Sequence, residues 1–223
     1  MTRGARIGVL LGVAAAAVTA ACVVPPIPQD PAYHRFADTR ALAGAPNGWA
    51  VLSNLPFLVV GLLGLRRVLM APVGASAPFV ESRERWPYAL FFAGVALTGV
   101  GSAYHHWAPD NARLVWDRLP MTIGFMALLA AIVAERVSVT AGMTLLPALL
   151  VAGAASVAYW YAGERHGVGD LRPYALVQFA PAALIPLLLW LFPPRYTHGG
   201  YLVGVIAIYG AAKLFEVLDG PIF

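Results

Sequence analysis

Seven long apolar stretches constrain how this chain can fold more than any other feature of its sequence. Each has about 18 or more residues, which is enough for a helix to cross a hydrocarbon core about 30 Å thick. The stretches are residues 7–24, 49–70, 87–107, 113–134, 141–162, 173–192 and 199–218. The sequence therefore predicts an all-α fold, a polytopic transmembrane helix bundle of about seven spans.

The composition excludes several classes of protein. Hydrophobic residues make up 60% of the chain and charged residues 12%, against roughly 25% charged residues in soluble proteins. A soluble enzyme or a disordered protein needs more polar surface than this. The net charge is +4, but the basic residues are dispersed and form no patch for a phosphate backbone, so no nucleic-acid partner is expected. The single cysteine excludes a disulfide framework and a zinc site built from several cysteines.

The whole chain is expected to form a single transmembrane domain. Its parts are residues 1–24, an N-terminal helix or signal-like segment; residues 25–48, an outer loop; and residues 49–223, the core. Arg3 and Arg6 precede the first span and favour a cytoplasmic N-terminus, because cytoplasmic loops carry an excess of basic residues. The run Ala20-Ala21-Cys22 resembles the end of a secretory or lipoprotein signal. Of these two interpretations, a retained N-terminal helix and a signal segment, we favour the retained helix.

Three clusters of polar residues lie at the ends of predicted spans. Because polar and charged groups are costly to bury in a membrane, each cluster is a functional candidate. The clusters are Ser102, His105 and His106 at the end of the third span, Asp117 and Arg118 at the start of the fourth, and Lys213, Glu216 and Asp219 near the end of the seventh. Ser102 and His106 are four residues apart and share a helix face. Lys213 and Glu216 are three apart and can form an ion pair. Because successive spans alternate in direction, all three clusters are expected at the same outer face.

Ser102, His106 and Asp117 permit two chemistries. One is a serine nucleophile with a base and an orienting acid. The other is a metal site in which His106 is a ligand and Asp117 accepts a proton from a water nucleophile. Ordinary structural roles are also open: Ser102 can bond to a carbonyl of its own helix, His106 can face lipid headgroups, and Asp117 can cap its helix. Spacing alone favours these structural roles.

The central motif resembles a known family. Gly101-Ser102-x-x-x-His106, with Asp117 eleven residues later and Leu119-Pro120-Met121 after it, looks like the alkaline ceramidases, which belong to a wider group of membrane hydrolases that includes the adiponectin receptors. Supporting segments, similar to the family or its bacterial members, are Ser53-Asn54-Leu55-Pro56-Phe57, Gly169-Asp170-Leu171-Arg172-Pro173-Tyr174 with Gln178, and Lys213-Leu214-Phe215-Glu216. The resemblance covers the chain from about Tyr33 onward.

The resemblance implies a seven-helix core that binds one zinc ion and hydrolyses the N-acyl amide of ceramide-like sphingolipids. His106 matches the first of three zinc histidines. Ser102 matches the serine that stabilises the oxyanion, and Asp117 matches the acid that orients or deprotonates the zinc-bound water. The partner is then a membrane lipid, and the location is a bacterial inner membrane. The sequence identifies no protein partner.

The family's other two zinc ligands are absent from this sequence. They form a His-x-x-x-His pair in a last helix, and no such pair occurs here. We therefore expect one extra N-terminal helix plus six of the seven core helices, in a fragment of an enzyme that carries zinc when complete. The alternative is a catalytically inactive short form that binds a lipid or a partner. The remaining histidines, His34, His105, His166 and His198, are not expected to replace the missing ligands, and His34 and His166 are expected in outer loops without a partner at ligand spacing.

Two polar stretches lie outside the spans. Calcium is not predicted in the first, because calcium needs several oxygen ligands and this stretch offers Asp38 and the nearby Asn47. In the second, Glu164, Arg165, Asp170 and Arg172 are expected to form a solvated outer loop.

Overall fold

The computed structural model describes residues 1–37, 39–42, 44–197 and 199–218. These residues form eight α-helices and no strands. In chain order the helices are α1 (Arg3–Val23), α2 (Gly48–Leu52), α3 (Leu55–Met70), α4 (Arg85–Trp107), α5 (Asn111–Arg136), α6 (Val139–Arg165), α7 (Arg172–Leu191) and α8 (Gly200–Val217). Single 3-10 turns, Pro31–His34 and Ser82–Glu84, precede α2 and α4.

Seven segments are long and apolar enough to cross a membrane, with α2 and α3 together making one of them. This confirms the predicted all-α bundle of about seven spans and makes the chain a multi-pass membrane protein. Helices α4, α5 and α6 extend slightly beyond the predicted spans, whereas α8 lies within the predicted residues 199–218. For example, α5 and α6 continue to Arg136 and Arg165, whose charges end the apolar stretches but not the helices.

The second span is two helices rather than the single one predicted. Pro56 lies in the first turn of α3, where it has no N–H to donate to the carbonyl four residues earlier, and its ring crowds that carbonyl. The chain is interrupted at Ser53 and Asn54. Both side chains turn back onto the Ala50 carbonyl oxygen, with Ser53 Oγ and Asn54 Nδ2 each donating to it at 2.8 Å.

Helix α5 forms the centre of the bundle. It packs against α4, α6 and α7, and 67% of its most apolar 18-residue stretch is buried. Small residues allow the backbones to approach closely. A Cβ atom at Gly94 would lie 2.7 Å from the Gly124 nitrogen, and one at Gly142 would lie 2.6 Å from the Ala130 carbonyl oxygen. Close contact of this kind favours helix association in lipid, where burying apolar surface gives little advantage.

Helices α1 and α8 lie at the edge of the bundle, and neither has a buried residue among those described. Helix α1 lies against α7. Leu202 and Ile206 of α8 pack on the core cluster that contains Leu188 and Phe192. Both helices therefore present most of their apolar surface to the membrane.

The bundle has two ends. We call the end formed by the last turns of α4 and α6 and the first turns of α5 and α7 the site end, and the opposite one the far end. At the far end, buried Glu84 forms an ion pair with Arg195 at 2.6 Å and accepts a hydrogen bond from the Tyr196 hydroxyl. Nearby, Glu135 and Arg136 form a buried ion pair at 3.1 Å. The ion pair of Glu84 with Arg195 therefore connects the turn before α4 with the loop after α7.

Candidate functional site

Helices α4 and α5 touch at a glycine near the site end. A Cβ atom at Gly101 would lie 1.8 Å from the Trp116 carbonyl oxygen, so only glycine allows the two backbones to come this close. Ser102 follows Gly101, and Asp117 follows Trp116. The contact therefore sets Ser102 and Asp117 side by side.

The structure brings the three predicted site residues together. Ser102 and Asp117 are buried, and His106 is half-buried. The Asp117 carboxylate interacts with the Ser102 hydroxyl and with the His106 ring, and Glu216 of α8 also acts on it electrostatically. Lys213 and Glu216 form the predicted ion pair at 2.5 Å. The described parts of the three polar clusters thus share one end of the bundle, as expected from the alternation of the spans.

Two of the structural roles considered for these residues do not apply. Helix α5 is capped by Asp110, which accepts a hydrogen bond from the Arg113 backbone N–H at 2.7 Å, so capping by Asp117 is wrong. Thr98 donates its hydroxyl to a carbonyl of its own helix at 2.8 Å. Ser102, one turn later, makes no such bond among the described residues and interacts with Asp117 instead. Both side chains are therefore available for chemistry.

The break between α2 and α3 orients the His106 ring. The Ala50 carbonyl oxygen lies 2.8 Å from His106 Nδ1 and accepts from Asn54 Nδ2, which is itself 3.1 Å from Nδ1. The carbonyl can only accept and the Asn54 amide nitrogen can only donate, so Nδ1 has one contact of each kind. The shorter contact, with the Ala50 carbonyl oxygen, favours a proton on Nδ1. Nε2 then carries the lone pair. A histidine whose other N–H is fixed by a carbonyl has the arrangement found in metal ligands, and the same lone pair can serve as a base.

Asn47, named above as an oxygen ligand available to calcium, has a structural role at the end of α4. Its Nδ2 donates to the His106 carbonyl oxygen at 3.0 Å, so it satisfies an end carbonyl of α4. The prediction that calcium is absent also involved Asp38, which lies outside the described residues. His198 and Asp219 lie outside them as well.

A histidine from the segment after α1 joins the site, which sequence reasoning missed. His34 Nδ1 lies 3.1 Å from His105 Nε2, and His34 Nε2 lies 2.8 Å from Asn111 Oδ1. The amide nitrogen of Asn111 contacts Glu164 at 3.5 Å, so Asn111 Oδ1 accepts from His34 and His34 Nδ1 accepts from His105. His34, which was expected in an outer loop, thus contacts α4 and α5 through His105 and Asn111. This chain of hydrogen bonds runs from buried His105 to the surface of the site end.

Aromatic residues of the same segment cover the site. We call residues 24–37 the linker. The Phe36 ring centroid lies 4.7 Å from that of His106, and the Tyr33 ring stacks on His105 at 6.3 Å. Desolvation against the bundle, followed by the negative charges of Glu216 and Asp117, raises the pKa of Tyr33 to about 12. The Tyr33 hydroxyl therefore keeps its proton at neutral pH.

Arg118 anchors the linker to the bundle. Its guanidinium is buried and donates from Nη2 to Gln29 Oε1 at 2.6 Å. Three aromatic rings surround it, with the guanidinium carbon 4.2 Å from the ring centroid of Trp160, 4.7 Å from that of Tyr174 and 5.6 Å from that of Tyr33. Contacts between a cation and the faces of aromatic rings are attractive, and more so away from water.

Asp170 and Arg172 hold the start of the linker. Arg172 Nη2 donates to Asp170 Oδ2 at 2.8 Å, and its Nη1 donates to the Val24 carbonyl oxygen at 2.5 Å. The Leu171 backbone N–H donates to the Ile27 carbonyl oxygen at 2.7 Å. Asp170 is buried, so its assignment to a solvated loop is wrong. The hydrogen bonds from Arg172 hold the pKa of Asp170 below its usual range.

The described residues do not form a complete metal site. No three of their His, Cys, Asp and Glu side chains are grouped so that they could hold an ion. His106 has the geometry of one ligand, and Asp117 lies beside it, whereas a catalytic zinc ordinarily takes three protein ligands. The zinc implied by the family resemblance would therefore need ligands beyond these residues.

Comparison of the chain with protein-family models, with curated proteins and with solved structures finds no match.

Proposed function

We propose that this chain is a membrane amidase that hydrolyses the N-acyl bond of ceramide-like sphingolipids. The observation that carries the proposal is the convergence of Ser102, His106 and Asp117 at the contact between α4 and α5. The motif resemblance supports the choice of substrate. A bacterial inner membrane with a cytoplasmic N-terminus, as the basic residues favour, would place the site at the outer face.

The three side chains have complementary roles in amide hydrolysis. His106 Nε2, with its lone pair, orients a water molecule, and Asp117 accepts a proton from it as the oxygen attacks the amide carbonyl. The Ser102 hydroxyl donates to the oxyanion that forms. The proton returns from Asp117 to the departing nitrogen, so the C–N bond breaks and an amine and a carboxylic acid are released. Zinc, where bound, would polarise the amide carbonyl and acidify the water.

The test is turnover of a fluorescent ceramide by the protein in nanodiscs with zinc supplied. We expect His106→Ala and Asp117→Asn each to lower kcat/KM by at least about 100-fold, the usual contribution of a general base. Ser102→Ala should lower it by a similar factor. Two matched controls, His166→Ala at an exposed position and Ser156→Ala at a serine bonded within its own helix, should retain activity.

A second candidate function is lipid or partner binding without catalysis. It is favoured by the linker, whose Phe36 and Tyr33 lie over the two histidines, and by the incomplete metal site. Measurable turnover that is equal in the site variants and the controls would support this candidate and contradict the assignment of the amidase to Ser102, His106 and Asp117. Labelling of Ser102 by a fluorophosphonate would instead favour a serine nucleophile.

A further inference from the structure

Arg118 is a buried cation without a carboxylate in contact. It is 5% exposed, and among the described residues it takes part in none of the ion pairs within 4 Å. Asp117 and Glu164 act on it only through longer-range electrostatics. A buried charge is costly unless it is paired. The aromatic rings and Gln29 therefore compensate this charge only in part.

Two N–H donors beside this charge lack acceptors. Arg118 uses Nη2 for Gln29 and also interacts with the Tyr33 hydroxyl, but its Nη1 has no hydrogen-bond partner in the described part of the chain. The indole Nε1 of Trp160, a residue with no exposed surface, has none either. The guanidinium lies on the face of that indole. A buried donor without a partner is strongly disfavoured, so the two nitrogens favour a ligand that supplies acceptors.

We propose that Arg118 and Trp160 bind an oxyanion, the carboxylate or phosphate group of an anionic lipid or of a small free anion. A negative charge would pair the buried guanidinium, and its several oxygen atoms could accept from both orphan N–H groups. The planar guanidinium fork suits carboxylate and phosphate geometry, and charge-assisted hydrogen bonds are the strong ones. The site adjoins Asp117 but does not depend on the amidase proposal, because it requires no turnover.

The test measures thermal unfolding of the purified protein in neutral detergent. The probes are inorganic phosphate, sodium acetate and added phosphatidylglycerol, compared with sodium chloride at equal ionic strength and with phosphatidylcholine. A ligand that binds only the folded state raises the unfolding midpoint with its concentration. Stabilisation by phosphate or acetate identifies a free anion, whereas stabilisation by phosphatidylglycerol alone identifies a lipid headgroup.

Trp160→Phe is the informative variant, because it keeps an aromatic ring under Arg118 and removes only the indole N–H. We expect its apparent affinity for the stabilising anion to fall about tenfold, which corresponds to about 1.4 kcal/mol. Trp190→Phe is the matched control at a residue 81% exposed and should leave the affinity unchanged. The proposal is overturned if no anion stabilises the unaltered protein beyond sodium chloride, or if the two variants respond alike.

Discussion

Gly101 shows how a single residue sets the geometry of the site. A methyl group at this position would lie 1.8 Å from the Trp116 carbonyl oxygen, a backbone atom that cannot move without displacing α5. Gly101→Ala should therefore lower the free energy of unfolding by about 1–3 kcal/mol, as overpacking does. Unfolding in mixed detergent and denaturant measures the change.

Gly124→Ala is the matched control, because nothing lies within 4 Å of a Cβ atom there. It should raise the free energy of unfolding by up to about 1 kcal/mol, the helix preference of alanine over glycine. Equal effects of the two substitutions would contradict the close contact at Gly101.

At the residue scale, the sequence predicted the meeting of Ser102, His106 and Asp117, because a short connection between two antiparallel helices leaves few arrangements open. It did not predict the contacts of His34 and Gln29. These residues meet His105 and Arg118 from 71 and 89 positions away. Such contacts leave no periodic pattern in a sequence, because they depend on where a loop folds back.

At the scale of elements, apolar length predicted the spans but not the division of the second span into α2 and α3. Proline is tolerated within membrane helices, so Pro56 alone did not indicate a break. The interruption has a local cause, the missing N–H of proline and the two polar side chains before it. Its consequence is that a carbonyl of α2 is available to hold the ring of His106.

The linker is the element whose attachment can be tested most directly. Because hydrogen bonds from Arg172 lower the pKa of Asp170, the charged carboxylate stabilises the attachment above the ordinary pKa of about 3.9. That stabilisation is lost only as the pH falls through the lower value of the folded protein. The protection of residues 24–37 against hydrogen exchange, relative to an unfolded chain at the same pH, should therefore stay constant from neutral pH to about pH 4.

Asp170→Asn should remove this protection at neutral pH, so that exchange in the linker becomes several-fold faster. Glu81→Gln is its control, since Glu81 belongs to an exposed ion pair at the far end. Unchanged exchange in Asp170→Asn would mean that the remaining bonds hold the linker without the carboxylate.

At the scale of the whole molecule, the predicted orientation in the membrane can be tested by cysteine labelling. Cys22, the one cysteine of the chain, is exposed at the site end of α1. If the N-terminus is cytoplasmic, a membrane-impermeant maleimide should label Cys22 in intact cells. In a Cys22→Ser protein that carries Ser76→Cys in the far-end loop after α3, labelling should require permeabilised cells. The reverse pattern would invert the predicted orientation.

The far end stabilises the molecule independently of the site. Glu84 pairs with Arg195 and accepts from the Val80 backbone N–H at 3.0 Å, and it is buried. Glu84→Gln should lower the free energy of unfolding by about 1.5–3 kcal/mol, the range for hydrogen bonds to charged groups. Glu81→Gln, at an exposed pair, should change it by less than about 1 kcal/mol. Ceramide turnover, measured below the unfolding midpoint, should be the same in both variants.

The attachment points of the linker determine whether it would stay in place if a peptidase removed α1. Its contacts go to α5, α6 and α7 through Arg118, Glu164 and Arg172, and the Val24 backbone N–H joins it to α1 by donating to the Ala20 carbonyl oxygen at 3.1 Å. A peptidase that removed the first helix after Cys22 would leave the bonds to α5, α6 and α7 in place. A form without α1 would therefore still carry Phe36 against the His106 ring and Tyr33 against the His105 ring.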